Sequence, residues 1–242
     1  MVPGRGLRRL CSTRPVTRRP ARILSPDPPR IDDALDELVL DAGRIADDAA
    51  WSRVHVEDAD VSGARGRSVA LEEARLEGVA FSGAALPGLR LADAELRRCD
   101  LANVRATGGA MRRVAMVGAR LTGLQWSEGT IADATFRDCR IDLATFAATR
   151  MDRVTFERCL LGQADLQGLR ADSVRLVDCD LTDADLSGAR LTRCELHGCT
   201  LAGLRGLEAL RGAAMPWADV VGMAGVFAAA LGIRVLDDDD GS

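Results

Sequence analysis

The sequence contains no lysine, no tyrosine and only two histidines. All 32 basic residues are therefore arginine, which we attribute to the composition bias of a GC-rich genome. Two histidines give little support to general acid–base catalysis, and a phosphate-binding loop that depends on lysine is excluded. Aromatic residues make up 3% of the chain, so other side chains must fill a core. Long hydrophobic runs are absent as well, and no transmembrane helix is predicted.

Charge is unevenly distributed although the 242 residues carry a formal net charge of only −4. Residues 1–30 hold eight arginines, one aspartate and several prolines, a composition that predicts a disordered tail. Asp237–Asp240 predict an acidic tail over 237–242. Seven cysteines without a secretory signal predict a cytoplasmic protein, in which structural disulfides are rare.

Between these ends, large apolar residues recur every five positions. The phase holds from residue 56 to 201 without insertion, and its 30 central positions hold 15 Leu, four Phe, three Met, two Ile, two Val and one Trp. The positions two residues earlier hold mostly Ala, Val and Cys. None of these 60 positions is charged in a chain that is 28% charged. Each five-residue unit therefore points one large and one small side chain inward.

A period of five fits neither an α-helix, with a period of 3.6, nor a flat strand, with a period of two. A chain that turns a corner every five residues does fit, and four such sides close a square coil that repeats every 20 positions. Coils that stack by parallel β-type hydrogen bonds about 4.8 Å apart give a little over seven coils over residues 54–201, a rod of about 35 Å.

Residues 20 positions apart should then stack in columns. Cys99, Ala119, Cys139, Cys159, Cys179 and Cys199 form one such column, and Phe136 and Phe156 belong to another. Like-on-like stacking is typical of a β-solenoid. The residues we assign to the structural core include Leu161, Leu166, Leu176, Leu181, Leu186, Leu191, Leu196, Phe136, Phe146, Phe156, Cys139, Cys159 and Cys179.

The units ADLQG (164–168), CDLTD (179–183) and ADLSG (184–188) resemble the A(D/N)LXX consensus of pentapeptide repeat proteins. The resemblance implies an all-β fold, a right-handed quadrilateral parallel β-helix. Trp126 is large for an interior position, so we expect a local bulge there.

A solenoid exposes unpaired backbone at both ends, so each end needs a cap. We place an N-terminal cap at 31–53, the repeats at 54–203 and a C-terminal helical cap at 204–236. Apolar spacing over 31–43 fits a short helix, although a strand is an alternative. Helical spacing over 215–233 predicts a C-terminal helix, which caps the last coil or forms a homodimer contact.

The cysteine column could be a metal or redox site, or it could be packing. Tetrahedral zinc needs four ligands that converge on one point, and a linear column does not converge. A thiol also suits a tight interior position, so we favour packing. Cys194, His197 and Cys199 resemble half a zinc site, but the phase places His197 outside and the two cysteines inside.

These observations predict a protein without catalytic residues, cofactor or metal, a rigid scaffold that binds an unknown protein partner and neither nucleic acid nor membrane. The resemblance implies an alternative, a DNA mimic that binds DNA gyrase. That activity needs a continuous negative surface, whereas residues 54–201 hold 22 acidic and 19 basic residues of interleaved sign. The candidate partner surface comprises Asp165, Asp180, Asp183, Asp185, Arg150, Arg170 and Arg190.

Overall fold

The computed structural model of the protein describes residues 22–235. Most of the tail predicted over 1–30, the acidic tail over 237–242 and Cys11 lie outside the described residues. The described elements are ten strands, two 3₁₀ helices and two α-helices: β1 (Asp36–Glu37), the first 3₁₀ helix (Ala42–Arg44), β2 (Ala50–Glu57), β3 (Ala70–Glu77), β4 (Arg90–Arg97), β5 (Ala110–Val117), β6 (Thr130–Arg137), β7 (Arg150–Glu157), β8 (Arg170–Val177), β9 (Arg190–Thr192), β10 (Glu195–His197), the second 3₁₀ helix (Leu207–Leu210), α1 (Trp217–Gly222) and α2 (Ala224–Ala230).

The strands form one parallel solenoid of about eight turns, as the period of five predicts. Strands β2 to β8 pair in chain order, and each residue lies beside the residue 20 positions later, as Arg90 does beside Ala110 and Ala110 beside Thr130. Each of these strands covers two sides of a coil. The other two sides are joined by single bridges at the same offset, such as Asp60 to Ala80.

The backbone turns a corner at every fifth residue. From Asp48 to Gly203, every position that lies two after a central position has φ between 47° and 73°. This left-handed region favours glycine, aspartate and asparagine, which hold 19 of these 32 positions. One left-handed residue bends each short extended segment into the next side, and this bend is the physical origin of the period of five.

The coil interior is filled by the two inward phases, including a fully buried Trp126. The bulge that we expected at Trp126 does not form, since the bridges from Gln125 to both neighbouring coils keep the regular offset. Space for the indole comes from two glycines instead. A Cβ at Gly109 would lie 2.7 Å from the ring, and one at Gly129 would lie 2.6 Å from it.

Four faces surround the rod, and we name them by their residues in one coil: face A (170–174), face B (175–179), face C (180–184) and face D (185–189). Every coil repeats these faces, so equivalent residues are 20 positions apart. Residues 93, 113, 133, 153, 173 and 193 form the corner between faces A and B, which we call the A–B corner.

Both ends of the solenoid are covered. At the N-terminal end, β1 pairs with β2. The short helix predicted over 31–43 does not form, since this region holds the strand β1 and the start of the first 3₁₀ helix. At the C-terminal end, the Ala214 amide donates to the Cys194 carbonyl at 2.8 Å, and two short helices follow. The C-terminal helix predicted over 215–233 is interrupted at Met223, whose side chain is buried. No described helix has the length and apolar character that a membrane crossing requires.

Candidate interaction surface

Charged side chains on the faces pair from one coil to the next. Because equivalent residues of successive coils are stacked, an arginine lies beside an acid wherever the two occupy equivalent positions. Arg158 Nε lies 2.7 Å from Asp138 Oδ1, and Arg137 Nε lies 2.9 Å from Glu157 Oε2. Exposed pairs of this kind add little stability each, but they neutralise the surface locally. Further pairs one coil apart are Arg67–Asp47, Arg75–Glu95, Arg120–Asp100, Arg175–Glu195 and Arg205–Asp185.

The A–B corner holds two less exposed pairs. Arg113 Nε donates to Asp93 Oδ1 at 2.6 Å, and Arg153 donates to both carboxylate oxygens of Asp133, at 2.6 and 2.8 Å. The aspartates are only 8% and 7% exposed. The guanidinium of each partner therefore holds the pKa of each carboxyl below its ordinary value, against the opposing effect of burial. Both carboxylates are ionised acceptors fixed in place by their arginines.

An N-terminal strap of residues 22–35 lies against this corner. The backbone amide of Arg30 donates to Asp93 Oδ1 at 2.9 Å, and that of Asp27 donates to Asp133 Oδ1 at 3.1 Å. Farther along, an Arg53 amino group donates to the Ala34 carbonyl at 3.3 Å. Residues 22–30 thus pack along the rod instead of extending freely from it. The sequence analysis did not predict this contact. The sequence does show an Asp at 93 and 133, each followed 20 positions later by an Arg, and this pattern marks the corner that the strap contacts.

On face A, three arginines of the candidate surface stack directly. Arg150 is the register partner of Arg170, which is the register partner of Arg190, and all three are exposed. None of them forms an ion pair with a described residue. The nearest acids on the same face, Asp152 and Asp172, pair with the corner residues Arg153 and Arg193. We call Arg150, Arg170 and Arg190 the arginine stripe.

The four candidate acids lie elsewhere and are engaged locally. Asp165 and Asp185 stack on face D, where they accept from the amides of residues 167 and 187 at 3.0 and 2.8 Å. Asp180 lies on face C and accepts from the amide and hydroxyl of Thr182. Asp183 occupies a corner of face C with φ of 58°. The structure does not join these acids to the arginine stripe, because face C lies opposite face A and Asp185 on face D pairs with Arg205.

Residues 172–205 match the family model for pentapeptide repeats, in eight copies. The matched segment begins within β8 and ends after β10, so it covers the C-terminal coils of the solenoid. No curated protein matches the chain. Among solved structures, HetL, a pentapeptide repeat protein involved in heterocyst differentiation regulation from the cyanobacterium Nostoc sp. strain PCC 7120, is 21% identical, with a TM-score of 0.43 over 72% of this chain and 92% of its own.

Two further solved structures are similar to the chain. QnrB1, a plasmid-mediated fluoroquinolone resistance protein, is 18% identical, with a TM-score of 0.38 over 84% of this chain and 98% of its own. Rfr23, a pentapeptide repeat protein from the cyanobacterium Cyanothece 51142, is 18% identical, with a TM-score of 0.28 over 51% of this chain and 88% of its own.

Inside the rod, the six described cysteines are buried and form no disulfide. Their thiols point at backbone carbonyls: Cys159 Sγ lies 3.4 Å from the carbonyls of Phe136 and Glu157. Burial raises the pKa of Cys99 and of Cys194 to about 11. These two thiols therefore stay protonated, and a protonated thiol is a poor nucleophile and a poor metal ligand. Within residues 22–235, no three metal-ligating side chains converge on one point.

Eleven of the 13 side chains that we assigned to the core are buried in the rod. The exceptions, Leu176 and Leu191, are partly buried and pack against the same core. Both lie near the C-terminal end, where β9 and β10 replace a continuous eight-residue strand and the interior is less tightly enclosed.

Beyond the last coil, the C-terminal segment exposes large apolar side chains. Trp217 is 79% exposed and Leu231 is 76% exposed, whereas Phe227 packs against the core. The helical segment therefore covers the last coil with one side and presents apolar groups to solvent with the other.

Proposed function

We propose that this chain is a non-enzymatic scaffold, a rigid pentapeptide-repeat rod that presents face A to an acidic segment of a protein partner. The observation that supports this function is the arginine stripe. Like charges directly opposite each other on neighbouring strands are destabilising, and folding alone does not require them. An anionic partner would relieve that repulsion by contacting three guanidinium groups at regular spacing of about 4.8 Å.

The surroundings of the stripe support the same assignment. Asp152 and Asp172 could neutralise it, but Arg153 and Arg193 at the A–B corner hold these carboxylates. The stripe is thus left free of acids by an arrangement of neighbouring side chains. Rigid hydrogen-bonded coils also keep the spacing of the three arginines fixed, which lowers the entropic cost of binding.

DNA mimicry is not the function that this surface supports. A mimic of the DNA backbone needs a continuous negative potential. Here the carboxylates of successive coils are paired with arginines, as in Arg120–Asp100 and Arg158–Asp138, so the negative charge is interrupted along the rod.

A pull-down from native cells tests the proposal. The full chain carrying Arg150→Glu, Arg170→Glu and Arg190→Glu should lose the partners that the unchanged chain captures. Arg65→Glu with Arg105→Glu is the matched control, since these arginines stack on face D on either side of a shared neighbour, Ala85, and form no described ion pair. Unchanged capture by the triple variant would refute the assignment of face A.

The exposed apolar side chains of the C-terminal segment support a second contact, a homodimer through this segment. Burial of Trp217 and Leu231 against a second copy would remove large apolar side chains from solvent. Analytical ultracentrifugation should give a dimer for the unchanged chain and a monomer for Trp217→Asp with Leu231→Asp. A monomer in both cases would refute the contact.

A further inference from the structure

The strap crosses the coils with a regular step. Arg30 contacts Asp93 and Asp27 contacts Asp133, two coils farther along the rod. Three residues of the strap therefore span two coils of the solenoid. Two coil spacings are about 9.6 Å. Three residues of a polyproline II helix span about 9.3 Å, so the two repeats match to within a few tenths of an ångström.

The direction of the amides distinguishes polyproline II from a β-strand. In a strand, residues three apart point to opposite sides, because the period is two. In a polyproline II helix, residues three apart point to the same side, because the period is three. Both donating amides point to the same corner, and the less exposed positions of residues 22–30, Ile23, Pro26 and Pro29, also recur every three residues.

The local sequence fits this conformation. Residues 25–30 read SPDPPR, and proline fixes φ near the polyproline II value. Each donor follows a proline, as in Pro26-Asp27 and Pro29-Arg30, so that the proline ring lies toward the rod and the next amide reaches a carboxylate.

We propose that the A–B corner is a binding site for a polyproline II segment of a partner protein, and that the strap occupies it as an intramolecular ligand. The site accepts a proline followed by a residue with a free amide, repeated after three residues. The carboxylates of Asp93 and Asp133 are the acceptors, and Arg113 and Arg153 hold them in position. This inference deepens the proposed scaffold function and rests on it, since it names a second surface and the conformation of the segment that binds there.

A third acceptor position is present in the same corner. Ser173 lies two coils beyond Asp133, is 1% exposed, and its hydroxyl has no hydrogen-bond partner among the described residues. The corresponding strap residue, three before Asp27, is Leu24, whose amide donates to no described residue. A buried hydroxyl without a partner is costly, so a segment whose amide reaches Ser173 would gain a hydrogen bond that the strap does not make.

The test removes the two donors without changing the conformation of the strap. Asp27→Pro with Arg30→Pro deletes both amide hydrogens, while proline keeps the polyproline II geometry. In the full chain this pair should release the strap and open the corner. A fluorescent synthetic peptide of residues 22–31 is then titrated against the unchanged chain and the variant, with fluorescence anisotropy as the readout.

We expect the variant to bind the peptide about tenfold more tightly than the unchanged chain, as for a site that is occupied nine-tenths of the time in the unchanged protein. Ser25→Pro is the matched control, because it adds a proline at a position whose amide donates to no described residue. This control should bind the peptide as weakly as the unchanged chain. A peptide with both proline substitutions should bind neither protein.

Equal peptide affinity for the variant and the unchanged chain, with unchanged circular dichroism, would overturn the proposed site. So would equal binding of the doubly substituted peptide. Because this titration uses a peptide and not the cellular partner, its outcome is independent of the pull-down. Peptide binding without any captured partner would refute the scaffold function alone, and a captured partner without peptide binding would refute the polyproline II site alone.

Discussion

The packing around Trp126 gives a prediction that the structure makes quantitative. Gly109→Ala would place a Cβ 2.7 Å from Trp126 Cη2 and 2.8 Å from Cζ2. Carbon atoms in favourable contact are about 3.5–4.0 Å apart, so the new methyl overlaps two ring atoms. The new Cβ would also lie 2.9 Å from the Ala106 carbonyl oxygen. The φ of Gly109 lies outside the left-handed region, so any destabilisation comes from these overlaps and not from a left-handed backbone.

The ring has little room to move, because Trp126 is fully buried between hydrogen-bonded coils. Overpacking of this kind costs about 1–3 kcal/mol, and we expect Gly109→Ala to fall in the upper half of that range. Urea unfolding followed by circular dichroism measures it as a lower midpoint. Gly162→Ala is the control, since the nearest atom to its Cβ would be the Thr182 carbonyl at 3.7 Å, and its midpoint should stay close to that of the unchanged chain.

Trp126→Phe provides the decisive second variant. The smaller ring removes the two ring atoms that the new methyl at position 109 would meet, and it also removes the indole N–H, which is buried without a partner among the described residues. In the Trp126→Phe background only the 2.9 Å contact with the Ala106 carbonyl oxygen remains, so Gly109→Ala should cost less than in the unchanged chain by about 0.5 kcal/mol or more, and the two substitutions should be non-additive. Additive costs would refute the assignment of the glycine to the indole.

Burial, ionisation and thiol reactivity give three further predictions. Leu161→Asp buries a charge without a partner and should unfold the rod. Arg150→Asp on the exposed face should change the free energy of unfolding by less than about 0.5 kcal/mol. Similar changes for both variants would contradict the assignment of Leu161 to the interior and of Arg150 to the surface. The carboxyls of Asp93 and Asp133 have lowered pKa values in the folded state, so their stabilising effect is present above about pH 4 and is lost as the pH falls through the folded pKa values. The urea midpoint of the unchanged chain should therefore drop in that pH range, and the drop should be smaller for Asp93→Asn with Asp133→Asn. An equal drop in that variant would show that these carboxyls are not its cause. The six described thiols should not react with a thiol reagent at mildly alkaline pH until denaturant is added. Of the seven cysteines, only Cys11 lies outside the described residues, so one thiol can react in the native protein without bearing on this prediction. Rapid reaction of more than one thiol would contradict the burial of the other six.

The sequence alone determined the architecture of the coils. A fixed phase of large and small apolar residues over 30 units admits few structures, because every side of a square coil has to bury the same two positions. The columns follow for the same reason, and the cysteines among them lie in the interior without any role in chemistry that the geometry supports. Local composition decides these features, since each unit contacts only its neighbours.

The tertiary structure decided what the period of five cannot encode. The accommodation of Trp126 depends on Gly109 and Gly129, which belong to other units and become its neighbours only when the coils stack. The strap depends on the distance between Asp93 and Asp133, which are far apart in the chain and only two coils apart in space. Proline and arginine content predicts disorder for an isolated segment, but a surface whose spacing matches the polyproline II repeat supplies the hydrogen bonds that the segment cannot make by itself.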